Sequence, residues 1–346
     1  MLRTIYFEGD NIMILDQTRL PGEVIYERID SVPQAAEAIK KLKVRGAPLI
    51  GVAAAFALAQ DMLKYRGFAE DLEARFQVSK NLLAATRPTA VNLFWALERM
   101  ENVFRAQLDK IPEGNGCDQA FLTELGQALK AEALTMYQED IRTNQAMGEY
   151  GQELLPQNSR ILTICNAGAL ATCGHGTALG VIRSAAARGK VEMVYACETR
   201  PLLQGSRLTV WELVQDEIPV TLITDNMAGH TIRTKGINAI IAGADCIAAN
   251  GDTANKIGTS TLAVLAHYYE IPFYIAAPMS TVNACLLTGA AIPIEERNPE
   301  EVRQIQGHYI TVPQVEVYNP AFDVTPNELI TAIITEKGVF RQPFSF

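Results

Sequence analysis

The sequence predicts an α/β protein: a Rossmann-like doubly wound parallel sheet domain preceded by a mostly helical N-terminal domain with a small β element. Three observations predict it. Residues 161–165, 191–197, 220–224, 239–242 and 273–276 are short, near-continuous apolar runs. Helix-length stretches separate them, and apolar strands alternating with helices make a parallel sheet covered on both faces. Right-handed crossovers then wind that sheet in both directions. The chain before residue 150 lacks this rhythm. The predicted domains are therefore 1–145 and 146–346.

The elements follow in order. Residues 4–7, 11–16 and 23–28 read as strands separated by Gly9-Asp10 and Pro21-Gly22 turns. Ser31 can cap a helix over 33–42. A second helix follows Pro48. Its apolar run, 47–59, is too short to span a bilayer and reads as a buried, alanine-rich helix. Residues 89–103 read as a third helix, with Val91, Phe94, Trp95 and Leu97 on the buried stripe. Glu113-Gly114-Asn115-Gly116 reads as a loop. A long helix then runs from about 120 to 154 and stops before Pro156. The tail adds a helix over 327–335.

Composition narrows the classes of function. A 346-residue chain with 48% hydrophobic and 20% charged residues can build two packed cores and does not read as disordered. A net charge of -9 argues against sequence-independent nucleic-acid binding and against an anionic membrane surface, since both need a basic face. The acidic and aromatic start has no signal-peptide core. Six scattered cysteines, 117, 165, 173, 197, 246 and 285, read as reduced thiols of a cytoplasmic protein.

In doubly wound sheets, ligands bind outside the carboxyl ends of the strands. Those ends carry Cys165-Asn166-Ala167-Gly168, Cys197-Glu198-Thr199-Arg200-Pro201, Asp225-Asn226 and Gly243-Ala244-Asp245. Two glycine-containing loops, 166–177 and 251–260, lead into helices whose first N–H groups can hold a phosphate. Lys256 adds a point charge to the second. Gly174-x-Gly176-x-x-x-Gly180 imitates a dinucleotide fingerprint, but it starts too far from the strand and its last glycine is one position late. His175, His230, His267 and His308 lack metal-ligand spacing, so no metal and no cofactor are expected. No Gly-x-Ser-x-Gly elbow occurs. By position alone, Cys165 reads as a small buried hydrophobe and Asp245 as a helix cap or loop acceptor.

Longer motifs decide between these readings. They are Val44-Arg45-Gly46-Ala47-Pro48, Thr86-Arg87-Pro88-Thr89-Ala90-Val91-Asn92-Leu93, Cys165-Asn166-Ala167-Gly168-Ala169-Leu170-Ala171-Thr172 and Glu198-Thr199-Arg200-Pro201-Leu202-Leu203-Gln204-Gly205. Gly243-Ala244-Asp245, the stretch from Ala249 to Thr259, and Ile292-Pro293-Ile294-Glu295-Glu296-Arg297 complete the set. In this order they closely resemble the family of methylthioribose-1-phosphate isomerases and initiation factor 2B regulatory subunits. The resemblance implies an aldose–ketose isomerase of methionine salvage, acting as a cytoplasmic homodimer on a small phosphosugar. It implies Asp245 as proton donor and Cys165 as transition-state stabiliser or base. It also implies that Arg45, Gly46, Ala47, Arg87, Gln204, Asn255 and Lys256 bind substrate. Two positions depart from the family pattern: Ile164 stands where a His is expected and Cys246 where an Arg is expected. The alternatives are a related substrate (ribose 1,5-bisphosphate or 5-deoxyribose 1-phosphate) and a non-catalytic scaffold.

Overall fold

The computed structural model describes residues 3–87, 90–110 and 118–346. The chain divides into two compact units. One is Met1–Arg142 with Leu170–Gly174, and the other is Thr143–Ala169 with His175–Phe346.

The first unit opens with an antiparallel sheet, β1 (Ile5–Glu8), β2 (Asn11–Leu15) and β3 (Tyr26–Ile29), in that order. Helices α1 (Val32–Lys40), α2 (Ala47–Lys64), α3 (Leu72–Ala84) and α4 (Val91–Leu108) follow. Helix α5 (Gln119–Gln152) then continues into the second unit. Ser31 caps α1 by accepting from the Gln34 N–H at 3.5 Å. By length and composition α2 could cross a membrane, yet it forms the centre of this unit's core, where Phe56 stacks on Phe7. Its small residues permit close packing. A Cβ at Gly51 would lie 2.7 Å from the Asn92 carbonyl oxygen of α4.

Two expectations for this unit need correction. Helix α3 was not anticipated, because only Leu72, Phe76, Ser79 and Leu83 of its mostly polar segment are buried. On α4 the buried stripe is Leu93, Ala96, Leu97, Met100 and Phe104, whereas Phe94 and Trp95 are 44% and 41% exposed. The 3.6-residue period accommodates only one such stripe. The other face meets Arg99, whose guanidinium lies 5.5 Å from the Trp95 ring centroid and pairs with Glu132 and Glu139 of α5. The expected loop at Glu113–Gly116 lies outside the described residues.

The second unit runs β4 (Ser159–Thr163), α6 (Ala178–Ala186), β5 (Val191–Cys197), α7 (Val210–Gln215), β6 (Val220–Ile223), α8 (Ala228–Lys235) and β7 (Ala239–Ala242). It continues with β8 (Cys246–Ala248), β9 (Thr253–Lys256), α9 (Thr259–Tyr268), β10 (Phe273–Ala276) and β11 (Val282–Asn283). Helix α10 (Glu300–Arg303), the hairpin β12 (Gln304–Ile305) and β13 (His308–Tyr309), β14 (Phe322–Thr325), β15 (Ala332–Thr335) and β16 (Gly338–Phe340) complete it. The main sheet has the order β16-β15-β10-β7-β4-β5-β6 and is parallel except for the β15–β16 pair. Counted along the chain, its six parallel strands read 3-2-1-4-5-6, the doubly wound order, which reverses between β4 and β7. A second sheet, β11-β8-β9-β14, was not anticipated.

The expected helix over 327–335 is not formed. Asn327–Leu329 is a single 3-10 turn, and Ala332–Thr335 is strand β15, fully buried beside β10. A four-residue apolar run carries no periodicity that separates a buried strand from a helix, and a place in the sheet decides it.

Candidate active site

The strand order reverses between β4 and β7, which opens a crevice at their carboxyl ends. Thr163 and Ile241 are register partners. Cys165 follows two residues after β4, and Asp245 three residues after β7. The two loops touch: a Cβ at Gly243 would lie 2.8 Å from the Ala167 Cβ. Past Asp245 the chain turns back as the antiparallel pair β8–β9, with Cys246 opposite Ala254. The Asp245 N–H donates to the Ala254 carbonyl at 2.9 Å, so Asn255 and Lys256 return beside Asp245. The turn after Lys256 uses Gly258 at φ +100°, where a Cβ would lie 3.1 Å from Ile164 Cδ1, next to Cys165. The tertiary structure thus brings Cys165, Asp245, Asn255 and Lys256 to one point of the sheet.

Cys165 is partly exposed and has φ +61°, in the left-handed region. A residue with a Cβ loses about 1–2 kcal/mol there. Two buried threonines hold it. Its N–H donates to Thr199 Oγ1 at 2.8 Å, and its carbonyl accepts from Thr209 Oγ1 at 2.5 Å. Thr199 Oγ1 in turn donates to the Cys197 carbonyl, and Asn166 Nδ2 donates to Thr209 Oγ1 at 3.2 Å. The loop beyond is anchored by Glu212, which accepts from Asn166 Nδ2 at 2.8 Å and from the Ala169 N–H at 2.7 Å. Glu212 is 3% exposed and is neutralised by Arg183 at 2.7 Å, which also pairs with Asp216. Asp225, at the end of β6, accepts from the Thr199 and Arg200 N–H groups.

Gln204 is buried at the start of a π turn, Gly205–Thr209, that leads into α7. Its Oε1 accepts no hydrogen bond from a described residue. The turn presses against β5, so a Cβ at Gly205 would lie 1.7 Å from the Cys197 carbonyl oxygen. No side-chain rotation relieves a clash with backbone. Gly205→Ala is expected to destabilise the protein by about 3 kcal/mol, the upper end for overpacking. A thermal midpoint equal to wild type would contradict this geometry.

Asn255 and Lys256 are 5% and 6% exposed. Asn255 Nδ2 donates to Thr259 Oγ1, and the Lys256 ammonium lies 4.9 Å from the Phe322 ring centroid. Of the apolar residues flanking Asp245, Ile241, Ala242 and Ile247 are fully buried, while Ala244 and Asp245 itself are partly exposed. Burial, and secondarily the Asp245 charge, push the Cys246 thiol up to about 11.

The two loops expected to cradle phosphate spend several N–H groups within the protein. Those of Gly258 and Ser260, at the start of α9, donate to the Asp323 carboxylate. Those of Thr177 and Leu179, at the start of α6, donate to the Ala167 carbonyl. Burial raises the Asp323 carboxyl above its ordinary range, against the pull of the Ser260 and Gly258 donors.

The other candidates lie in the helical unit. Arg45 and Arg87 are half-buried. Gly46 precedes α2 at φ +94°, and a Cβ there would lie 2.4 Å from the Ala171 carbonyl oxygen of the same unit. Ala47 is the first residue of α2. Among the described residues, no group of three or more His, Cys, Asp or Glu could hold a metal ion. The roles of Thr199, Thr209, Asn166 and Glu212 were not anticipated. Asn166 and Thr199 stand inside the strand-end motifs, where a polar residue was a usable signal. Thr209 and Glu212 carry no such signal, because their side chains reach the site from a helical segment.

The sequence profile of the Initiation factor 2 subunit family matches residues 43–342. A methylthioribose-1-phosphate isomerase from Syntrophomonas wolfei is 61% identical over 344 residues, with 99% of this chain and 96% of that protein covered. One from Desulfitobacterium hafniense is 53% identical, with 99% and 97% covered. Among solved structures, 5-methylthioribose 1-phosphate isomerase from Pyrococcus horikoshii superposes with a TM-score of 0.91 at 44% identity, covering 99% of this chain and 94% of that one. Translation initiation factor 2B subunit delta from A. fulgidus gives 0.85 at 43% identity, covering 99% and 97%. With a profile spanning most of its length and relatives matched end to end, this chain belongs to the Initiation factor 2 subunit family.

Proposed function

We propose that this chain is a sugar-phosphate isomerase that converts 5-methylthioribose 1-phosphate to 5-methylthioribulose 1-phosphate, with Asp245 as proton donor and Cys165 as transition-state stabiliser or base. The observation that carries the reading is the meeting of Cys165, Asp245, Asn255 and Lys256 at the switch point. The chain's likeness to named isomerases, 61% over 344 residues in one case, supplies the substrate class. Lys256, Arg45 and Arg87 are the charges proposed for a phosphate carrying about two negative charges. Gly46, Ala47, Gln204 and Asn255 would position the sugar.

The anomeric oxygen of this substrate is blocked by phosphate, so the ring opens only if the ring oxygen is protonated. Asp245 would donate that proton as the bond from carbon 1 to the ring oxygen breaks. That role needs the carboxyl to be protonated when the sugar is bound, a state that an apolar pocket promotes. Hydrogen then moves from carbon 2 to carbon 1, either as hydride, with Asp245 taking up the 2-hydroxyl proton, or as a proton that Cys165 takes from carbon 2 and returns to carbon 1 through an enediolate-type enol whose carbon-1 oxygen stays phosphorylated. Apolar surroundings limit exchange with water and favour the hydride route. The proposal extends to a cytoplasmic homodimer that needs no cofactor and binds neither nucleic acid nor membrane.

The test is turnover of methylthioribose 1-phosphate beside ribose 1,5-bisphosphate and 5-deoxyribose 1-phosphate, run in deuterated water. The first sugar is expected to give the highest kcat/KM, with little solvent deuterium at carbon 1 of the product. Substantial deuterium there would exclude the hydride route. Absence of turnover on all three sugars would favour a scaffold role, the reading suggested by the initiation-factor relative at 43% identity.

A further inference from the structure

We propose that Thr199 and Thr209 are positioning residues for catalysis: a two-hydroxyl clamp on the Cys165 peptide that holds the thiol in its partly exposed position. The inference rests on the isomerase reading above and adds to it two fully buried residues. The clamp grips both sides of one residue. The Cys165 N–H donates to Thr199 Oγ1 at 2.8 Å, and the Cys165 carbonyl accepts from Thr209 Oγ1 at 2.5 Å. Each hydroxyl is also fixed from behind, Thr199 by donating to the Cys197 carbonyl and Thr209 by accepting from Asn166 Nδ2. Both threonines are fully buried, so water cannot replace either bond.

The clamp accounts for the φ of +61° at Cys165. An L-residue released from such a hold relaxes to negative φ. Here relaxation would move the side chain out of its partly exposed position at the border of the apolar cluster of Ile164, Cys197 and Ala242. The clamp comes from two different elements. Thr199 lies just past β5, and Thr209 ends the π turn that Gly205 allows to press against β5. A π turn inserts one extra residue into a helix and re-aims the side chains after it, and such turns are frequent at functional sites. Without it, Thr209 would not face the Cys165 carbonyl.

The experiment compares Thr209→Val, which keeps the shape and removes the hydroxyl, with Thr209→Ser, which keeps the hydroxyl. Two readings are taken on the full chain: kcat and KM with methylthioribose 1-phosphate, and the rate of iodoacetamide alkylation at Cys165, with the exposed Cys285 as internal reference. Thr209→Val is expected to lower kcat by about 10- to 100-fold with KM within about threefold, the size of effect that a roughly 1 Å misplacement produces. Cys165 alkylation should fall as well, and Thr209→Ser should restore both. Values for Thr209→Val within about twofold of wild type on both readings would overturn the clamp, as would a serine variant as impaired as the valine one. Should Thr209→Val fail to fold, the Thr199→Val and Thr199→Ser pair gives the same readings from the other side. If the wild-type protein turns over none of the sugars, the isomerase reading fails, and the alkylation ratio alone still decides the clamp.

Discussion

Asp245→Asn is expected to retain substrate binding within a few-fold and to lose turnover by about 10²- to 10⁴-fold, the contribution of a positioned general acid. The expectation comes from what the reaction needs and where the residue sits. Ring opening requires a proton at the ring oxygen, and an amide of the same shape cannot supply one. The backbone of Asp245 is held by its N–H bond to the Ala254 carbonyl, which the substitution leaves intact. The β8–β9 pair should therefore still present Asn255 and Lys256. Steady-state kinetics with calorimetric titration of the phosphosugar separates the two quantities. A variant with kcat near wild type would remove Asp245 from the mechanism. One that lost binding and turnover together would point to a structural role.

Glu212→Ala should produce a loss of stability as large as that of Gly205→Ala. Glu212 is 3% exposed and holds Asn166, the Ala169 N–H and Arg183 at once. Removing one member of a buried pair leaves its partner's charge uncompensated, at about 3–5 kcal/mol. Asp216 still reaches Arg183, which places the expected value near the lower figure, about 3 kcal/mol. Asp216 is more exposed, so Asp216→Asn serves as the comparison and should cost under about 1 kcal/mol. Thermal or urea unfolding of the two variants checks the contrast. Equal midpoints would mean that the Glu212 network does not anchor this loop.

Most of the parallel sheet was legible in the sequence because each strand is a continuous apolar run flanked by helix-length segments. The runs expected at 191–197, 239–242 and 273–276 form strands with those same limits. The errors share a cause. At 327–335 a short apolar run had no period to read, and on α4 the helical period also admitted a stripe through Phe94 and Trp95. Both are exposed, and Trp95 meets Arg99, which pairs with Glu132 and Glu139 of α5. The pairing of β9 with β14 is also a long-range fact, since an edge pairing leaves no local signature in a four-residue strand.

The sequence by itself determined the fold class, the alternation that makes the sheet parallel, and the polar residues that end its strands, Cys165 and Asp245 among them. Periodicity and strand-end chemistry are local, so they survive in one dimension. Only the tertiary structure decided that β4 and β7 are neighbours at the point where the strand order reverses, and that Lys256 folds back beside Asp245. It alone showed that the helix N-termini read as phosphate cradles are partly occupied by Asp323 and the Ala167 carbonyl. It alone set the backbone of Cys165 between the hydroxyls of Thr199 and Thr209. These are contacts between residues 9 to 78 positions apart, and their energies depend on distance in space, which the order of residues along the chain does not record.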